Sequence, residues 1–88
     1  MTKVERILQK ADTDFVMFVT NVCPYCVKAK RLLDRHKMSW ADHNVQKDPQ
    51  LQMEVVQLTG HRTVPAIFDV RGEAPVFVGG SDNLERYI

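Results

Sequence analysis

The sequence lacks a long apolar run, a strong net charge and a secretory signal. Its longest apolar run has five residues and its formal net charge is +1. Such a run is too short to span a bilayer, and such a charge gives no general attraction to nucleic acid or to a membrane. Met1-Thr2-Lys3-Val4-Glu5 has no apolar core of a secretory signal. We therefore expect one monomeric, cytoplasmic domain over residues 1–88.

Cysteine is scarce as well, and both cysteines lie in the stretch Cys23-Pro24-Tyr25-Cys26. This stretch follows an apolar run, residues 15–19, and opens a helical pattern in which Pro24 suits the first position. A helix that begins here directs unpaired N–H groups at the Cys23 sulfur, which favours the thiolate. Cys26 falls on the same helical face, so Cys23 can attack a disulfide and Cys26 can resolve the product.

Two other uses of the cysteines are less favoured. Structural zinc needs four ligands, there is no second CxxC, and His36, His43 and His61 are not at ligand spacing. We therefore expect no metal site. A purely structural disulfide across so short a loop would remove little entropy from the unfolded chain. Redox chemistry is the prediction.

The hydrophobic pattern predicts four helices and four strands in the order αβαβαββα. A capping box, Thr2-x-x-Glu5, opens the first helix. Asp48-Pro49 opens the third helix, and Gly60 ends it. The predicted strands are residues 15–19, 40–45, 66–70 and 76–78, with the second at an edge of the sheet; the second helix covers about 24–37 with His36 on its apolar face, and a short last helix is capped by Ser81.

The order of these elements brings three motifs to one edge of the sheet. The first two strands must be parallel, and the last two, joined by a short turn, antiparallel. If strand 66–70 lies antiparallel beside strand 15–19, then Cys23-Pro24-Tyr25-Cys26, Thr63-Val64-Pro65 and Gly79-Gly80-Ser81-Asp82 converge. That convergence predicts a binding site at this edge.

Each motif has a chemical use there. Pro65 at a strand start is compatible with a cis bond that would expose the Val64 backbone to a peptide, although only about 5–6% of X–Pro bonds are cis. Gly79-Gly80 allows a ligand close to the backbone. The helix opened by Ser81 can hold a carboxylate while Asp82 takes an ammonium. The basic helix residues Lys28 and Arg31 either form a solvated face or favour an anionic substrate.

Together the three motifs resemble those of dithiol glutaredoxins. The resemblance covers nearly the whole chain, and it implies a thioredoxin-like fold, α/β with a mixed four-stranded sheet flanked by helices. It also implies glutathione as cofactor, with Cys23 as the nucleophile, Cys26 as the resolving thiol and a cis Pro65. The residues expected to contact glutathione are Tyr25, Gln52, Arg62, Thr63, Val64, Pro65, Gly80, Ser81 and Asp82.

Within that set the resemblance implies particular roles. Val64 binds the cysteinyl backbone of glutathione, Ser81 and Asp82 hold its γ-glutamyl end, and Gln52 or Arg62 meets its glycine carboxylate. The chain departs from the family pattern at Thr20, where many relatives have a lysine, and at Asn83, where a second aspartate is common. The missing lysine removes a cation from beside the thiolate.

The function implied is glutathione-dependent reduction of protein disulfides through both thiols, and of protein–glutathione mixed disulfides through Cys23 alone. Two alternatives remain open. One is a donor recharged by thioredoxin reductase, for example serving ribonucleotide reductase, against which Gly79-Gly80-Ser81-Asp82 argues. The other is an iron–sulfur cluster held by glutathione and Cys23 of two subunits, which Pro24 disfavours by hindering close approach of a cluster.

Overall fold

The computed structural model describes residues 2–88, and within them it contains four helices and four strands in the predicted order. Their bounds are α1 Lys3–Lys10, β1 Phe15–Val19, α2 Pro24–Arg35, β2 Trp40–Asn44, α3 Pro49–Thr59, β3 Ala66–Asp69, β4 Val76–Gly79 and α4 Ser81–Tyr87. No helix in this part of the chain is both long and apolar enough to cross a membrane.

The strands form a mixed sheet in the order β2-β1-β3-β4. β1 runs parallel to β2 and antiparallel to β3, with Phe18 opposite Ala66. β4 runs antiparallel to β3, with a register shift between Ile67 and Phe68. The predicted strand directions and the edge position of β2 are therefore confirmed. The carboxyl end of β1 and the amino end of β3 lie at the same end of the sheet, where the strands stop.

β1 is central because every one of its side chains is apolar and buried. Val16 and Phe18 face one core with residues of α1 and α3, including Leu8 and Val55. The other β1 side chains face a second core with residues of α2 and α4: Phe15, Met17, Val19, Cys26, Ala29, Leu33 and Leu84. The sheet is thus a middle layer between two pairs of helices, and α2, which begins at the cysteines, is anchored by one of these cores.

The ends of α1 and α3 match the sequence signals. The Thr2 hydroxyl accepts from the Glu5 N–H while the Glu5 carboxylate accepts from the Thr2 N–H, which is the predicted capping box. The Asp48 carboxylate accepts from the Leu51 N–H at 3.1 Å. Gly60 ends α3 in the left-handed conformation with φ 72°. Leu58, in the last turn of α3, is exposed.

The end of α2 differs from the prediction. The helix stops at Arg35 because Lys37 adopts φ 58°, and the N–H groups of Lys37 and Met38 bond back to Asp34 and Leu33 at 3.0 Å. This is a Schellman closure with lysine in the place usually taken by glycine. His36, expected on the apolar face, is therefore exposed at the end of the helix.

The start of α4 differs as well. Gly80 is the residue that caps this helix, and Ser81 is its first helical residue and is buried. The cap that Ser81 was expected to form is replaced by a bond in the reverse direction, in which the Asn83 side-chain oxygen accepts from the Gly80 N–H at 3.0 Å. The helix therefore begins at Ser81, one residue earlier than the motif suggested.

The far end of α4 is tied to the sheet by a buried carboxylate at the end of β3. Asp69 accepts hydrogen bonds from the Arg71 guanidinium at 3.0 and 2.9 Å and from the Tyr87 hydroxyl at 2.7 Å. Arg71 also lies over the Phe15 ring, 5.0 Å from its centroid. This cluster sits at the opposite end of the sheet from Cys23, and it joins α4 to β1 and β3.

Candidate active site around Cys23

Cys23 lies where the chain passes from β1 into α2, and it is the capping residue of the helix. Its backbone is extended, with φ −148° and ψ 104°, and Pro24 takes the first helical position. The Cys26 N–H donates to the Cys23 sulfur across 3.3 Å. An N–H aimed at the sulfur from the first turn of a helix stabilises negative charge on that atom. The side chain is half-buried, so a disulfide in solution can reach it.

The second thiol has a different environment. Cys26 is 3% exposed and packs in the core beside Ala29 and Leu33. Burial, and to a smaller extent the hydrogen bond with Cys23, raises the pKa of the Cys26 thiol to about 12. Cys26 therefore keeps its proton at neutral pH while Cys23 faces outward. The two thiols therefore differ in exposure, with Cys26 buried and Cys23 half-buried.

The three motifs predicted to converge do meet beside Cys23. A groove of about 290 Å³ is lined by Tyr25 at its exposed rim, by Thr63-Val64-Pro65 and by Gly80-Ser81-Asp82. The Val64 carbonyl oxygen lies 3.8 Å from the Cys23 sulfur. The peptide bond between Val64 and Pro65 is cis, as the resemblance implied. The Cys23 thiol thus stands at the edge of a groove whose wall includes the backbone of an irregular segment, Thr63-Val64-Pro65.

Gln52 and Arg62 lie next to this groove rather than in it. Both line a separate open depression of about 400 Å³ on the side of α3. A small cavity between the two spaces is lined by Gln52 and Arg62 together with Thr63 and Val64. An extended ligand in the groove would therefore have to cross Thr63 and Val64 to meet them.

The basic side of α2 makes contacts that the sequence did not predict. Lys28 pairs with Asp82 at 3.3 Å and with Glu85 at 2.9 Å. Its hydrogen bonds, first to Glu85 and then to Asp82, raise the pKa of the lysine. Lys28 therefore links the helix of the cysteines to the helix at the other side of the groove, and its charge is directed at α4.

Two further residues of the groove were not predicted. His61 and Asn83 both line it. His61 follows the Gly60 turn, and no spacing in the sequence indicates which way its ring faces. Asn83 was noted for differing from the family pattern, and its side chain forms the reverse cap on Gly80. Asn83 is thus a structural part of the groove wall.

Gly79 makes a testable contribution to this wall. Its φ is +116°, and a side-chain carbon added there would meet the Asn83 side-chain oxygen at 2.6 Å. Gly79→Ala should lower the free energy of unfolding by about 1–3 kcal/mol, because the backbone becomes strained and the cap on Gly80 is displaced. Gly72→Ala is the matched control, since its site has open space. Equal urea midpoints for the two variants would contradict this account.

Comparison with known proteins gives a consistent result. The sequence profile named Glutaredoxin matches residues 15–74. A glutaredoxin of Pseudomonas aeruginosa is 38% identical over 69 residues, covering 78% of this chain and 77% of that protein. The dithiolic glutaredoxin 2-C-Grx1 of Trypanosoma brucei brucei superimposes with a TM-score of 0.79 at 34% identity, covering 98% of this chain and 86% of that one.

A crystal structure of a buckwheat glutaredoxin–glutathione complex superimposes with a TM-score of 0.72 at 26% identity, covering 99% of this chain and 86% of that one. The match of the sequence profile extends from β1 to the turn before β4, so it includes both cysteines and the cis-proline segment. The chain belongs to the glutaredoxin family of thioredoxin-fold, glutathione-dependent thiol–disulfide oxidoreductases.

Proposed function

We propose that Cys23 is the nucleophile of this oxidoreductase, that Cys26 is its resolving thiol, and that glutathione binds along the groove beside them. The observation that supports this best is the position of the Cys23 sulfur, which caps α2 and lies 3.8 Å from the Val64 carbonyl at the groove edge. Its partner thiol is three residues away and buried. The working state is the dithiol, which suits a reducing compartment such as the cytoplasm.

The groups around the groove fit the chemistry of glutathione, which has a thiol, amide groups, two carboxylates and an ammonium. Val64 can pair with its cysteinyl backbone, as an extended peptide pairs with an exposed edge. Asp82, with a side chain 76% exposed, can accept from its ammonium. Ser81 lies beside Asp82 at the γ-glutamyl end, while Tyr25, Thr63, Pro65 and Gly80 complete the wall.

Gln52 and Arg62 are placed to meet the glycine carboxylate if that end of the ligand crosses Thr63. Both line the adjoining depression. Thr20 supplies no positive charge there, so in this proposal Arg62 takes the place of the lysine found in many relatives.

The two-thiol route reduces a disulfide in a protein substrate. The Cys23 thiolate attacks one sulfur, a Cys23–substrate disulfide forms, and the other sulfur leaves as a thiolate. Cys26 then loses its proton and attacks the Cys23 sulfur, which releases the second substrate thiol and forms the Cys23–Cys26 disulfide. The substrate has gained two electrons and the chain has lost two. Two glutathione molecules return them and leave as glutathione disulfide.

The one-thiol route acts on a protein–glutathione mixed disulfide and does not involve Cys26. The Cys23 thiolate attacks the glutathione sulfur and releases the protein thiolate, so that the glutathionyl group is transferred to Cys23. A second glutathione thiolate attacks that group, giving glutathione disulfide and restoring the Cys23 thiolate. The burial of Cys26 favours this route, because burial is the largest cause of its raised pKa, persists in the mixed disulfide and slows attack by Cys26 relative to glutathione.

The environment of Cys26 also sets the order of events. Two of the causes that raise its pKa, the hydrogen bond and the charge of Cys23, disappear once Cys23 is in a mixed disulfide. Cys26 therefore becomes a better nucleophile only after Cys23 has reacted.

The electron source can be tested directly on the oxidised protein. We expect glutathione, coupled to glutathione reductase and NADPH, to reduce the Cys23–Cys26 disulfide and restore both free thiols. Thioredoxin reductase with NADPH should leave it oxidised, because the residues that line the groove suit a small ligand such as glutathione. Quantification of thiols after each incubation gives the answer. Reduction by thioredoxin reductase alone would instead favour a donor of the kind that serves ribonucleotide reductase.

A further inference from the structure

The groove wall contains an imidazole that neither route uses. His61 lines the groove, and its Nε2 atom lies 3.1 Å from the Thr63 hydroxyl oxygen. Its ring packs against Phe77 with centroids 5.5 Å apart. Its Cε1 atom lies 3.8 Å from the point at which a side chain on Gly80 would begin. The ring is thus held between the cis-proline segment, β4 and the start of α4.

The backbone fixes this placement. The His61 N–H donates to the Thr59 hydroxyl oxygen at 3.0 Å, and the Thr59 hydroxyl donates to the Val55 carbonyl at 2.7 Å. The end of α3 therefore orients the turn in which His61 lies. Because Gly80 has no side chain, the space beside the imidazole ring stays open to a ligand.

Protonation of this ring changes the groove in two ways. The charged imidazole has N–H groups at both nitrogens, so Nε2 can only donate to the Thr63 oxygen. The hydrogen of the Thr63 hydroxyl is then free to point at a ligand. The groove gains one positive charge and one donor, and histidine is the side chain whose charge changes between pH 5 and 8.

The other ionisable groups facing His61 do not duplicate this effect. Among the described residues that line the groove, Tyr25 and Asp82 are ionisable, and Asp82 pairs with Lys28. Arg62 lines the small adjoining cavity and stays charged throughout this range. The side chains packed there from α3 and β4, Gln52, Val55, Val56 and Phe77, carry no charge.

We propose that protonated His61, together with the Thr63 hydroxyl, binds a carboxylate of glutathione at the Gly80 end of the groove. The affinity for glutathione then rises as the pH falls toward 5.5. This inference rests on the proposed function, because it needs glutathione in this groove, and it adds a residue that sets the strength of binding.

S-methylglutathione is a suitable probe, because it keeps the carboxylates and cannot react. Its Kd for the wild-type protein should be about twofold to fivefold lower at pH 5.5 than at pH 7.5, the range expected of one exposed ion pair. His61→Gln, which keeps a hydrogen-bonding group for Thr63, should bind equally at both pH values, with the wild-type affinity of pH 7.5. Comparing the variants at each pH cancels any titration of the ligand.

His36→Gln is the matched control, since His36 is exposed at the end of α2. It should keep the pH dependence of the wild-type protein. By linkage, a saturating ligand should also shift the titration of the His61 ring protons, followed by NMR, to higher pH. A wild-type Kd that does not change with pH, or a His61→Gln variant that retains the change, would overturn this role of His61.

The test separates this inference from the function itself. A pH-independent Kd alongside Cys23-dependent turnover contradicts His61 alone. If S-methylglutathione does not bind at either pH, glutathione does not occupy the groove, and the proposed binding site and the role of His61 both fail.

Discussion

Cys23→Ser is expected to lose turnover on both substrate classes by more than about a thousandfold. A serine hydroxyl does not ionise in the working range and cannot form or exchange a disulfide, so the attacking atom is lost. Cys26→Ser should keep the reduction of glutathionylated protein within a few fold, because the one-thiol route bypasses Cys26. The same variant should fail to reduce a protein disulfide, since nothing resolves the Cys23 mixed disulfide.

The measurement is steady-state turnover with a glutathionylated peptide and with a disulfide-containing protein, both coupled to glutathione reductase. Cys26→Ser is the matched control, because it makes the same chemical change three residues away on the same helix. Wild-type turnover by Cys23→Ser would show that the sulfur at the groove edge is not the nucleophile. Loss of activity on both substrates by Cys26→Ser would contradict the one-thiol route.

Asp69→Asn is expected to lower the free energy of unfolding by about 2 kcal/mol, equivalent to roughly 8–16 °C in Tm for a domain of this size. The Asp69 side chain is 10% exposed and accepts charge-assisted bonds from Arg71 as well as a bond from Tyr87. We expect a value below that of a fully buried pair because the Arg71 side chain is 42% exposed. Thermal unfolding at pH 7 measures the difference.

The pH dependence follows from the same cluster. The Arg71 guanidinium, with further bonds from Tyr87 and the Arg71 N–H, holds the pKa of the Asp69 carboxyl well below its usual range. The unfolded chain therefore takes up the proton first as the pH falls, so the stabilisation is fully present above about pH 4 and declines progressively as the pH falls through the lowered pKa of the folded state. The stability gap between wild type and Asp69→Asn should narrow steadily as the pH falls from about 5 to 2. Asp12→Asn, at an exposed site, should leave the wild-type curve unchanged. A gap as large at pH 2 as at pH 5 would contradict this assignment.

The sequence predicted those parts of the fold for which local chemistry is decisive. A capping box at Thr2, proline in the first turn after Asp48 and glycine at position 60 each have one conformation that they favour, and each adopts it. The convergence of the three site motifs was predictable because strand direction follows from the order and length of the connections. β1 lies inside the sheet between β2 and β3, as its lack of any polar side chain favours.

The errors occur where tertiary contacts override local preference. Nothing in the local pattern indicates that Lys37 adopts a left-handed conformation, so the sequence predicts α2 about two residues too long and places His36 on its apolar face. Asn83 caps α4 in reverse, and it thereby displaces Ser81 from a role that serine usually takes. Asp69 and Tyr87 are 18 residues apart, and their bond forms only because α4 returns across the end of β3.

Lys28 of α2 has two acidic partners on α4, Asp82 and Glu85. Two contacts allow the helices to stay joined while one of the carboxylates binds a ligand. Glu85, at 2.9 Å, does not line the groove, whereas Asp82, at 3.3 Å, does. In the proposed binding mode, the ligand ammonium pairs with the Asp82 carboxylate while Lys28 keeps its contact with Glu85, so that α2 stays packed against α4. The ligand can then bind and leave by exchange of the single contact between Lys28 and Asp82, and α2 and α4, which flank the groove beside Cys23, need not separate.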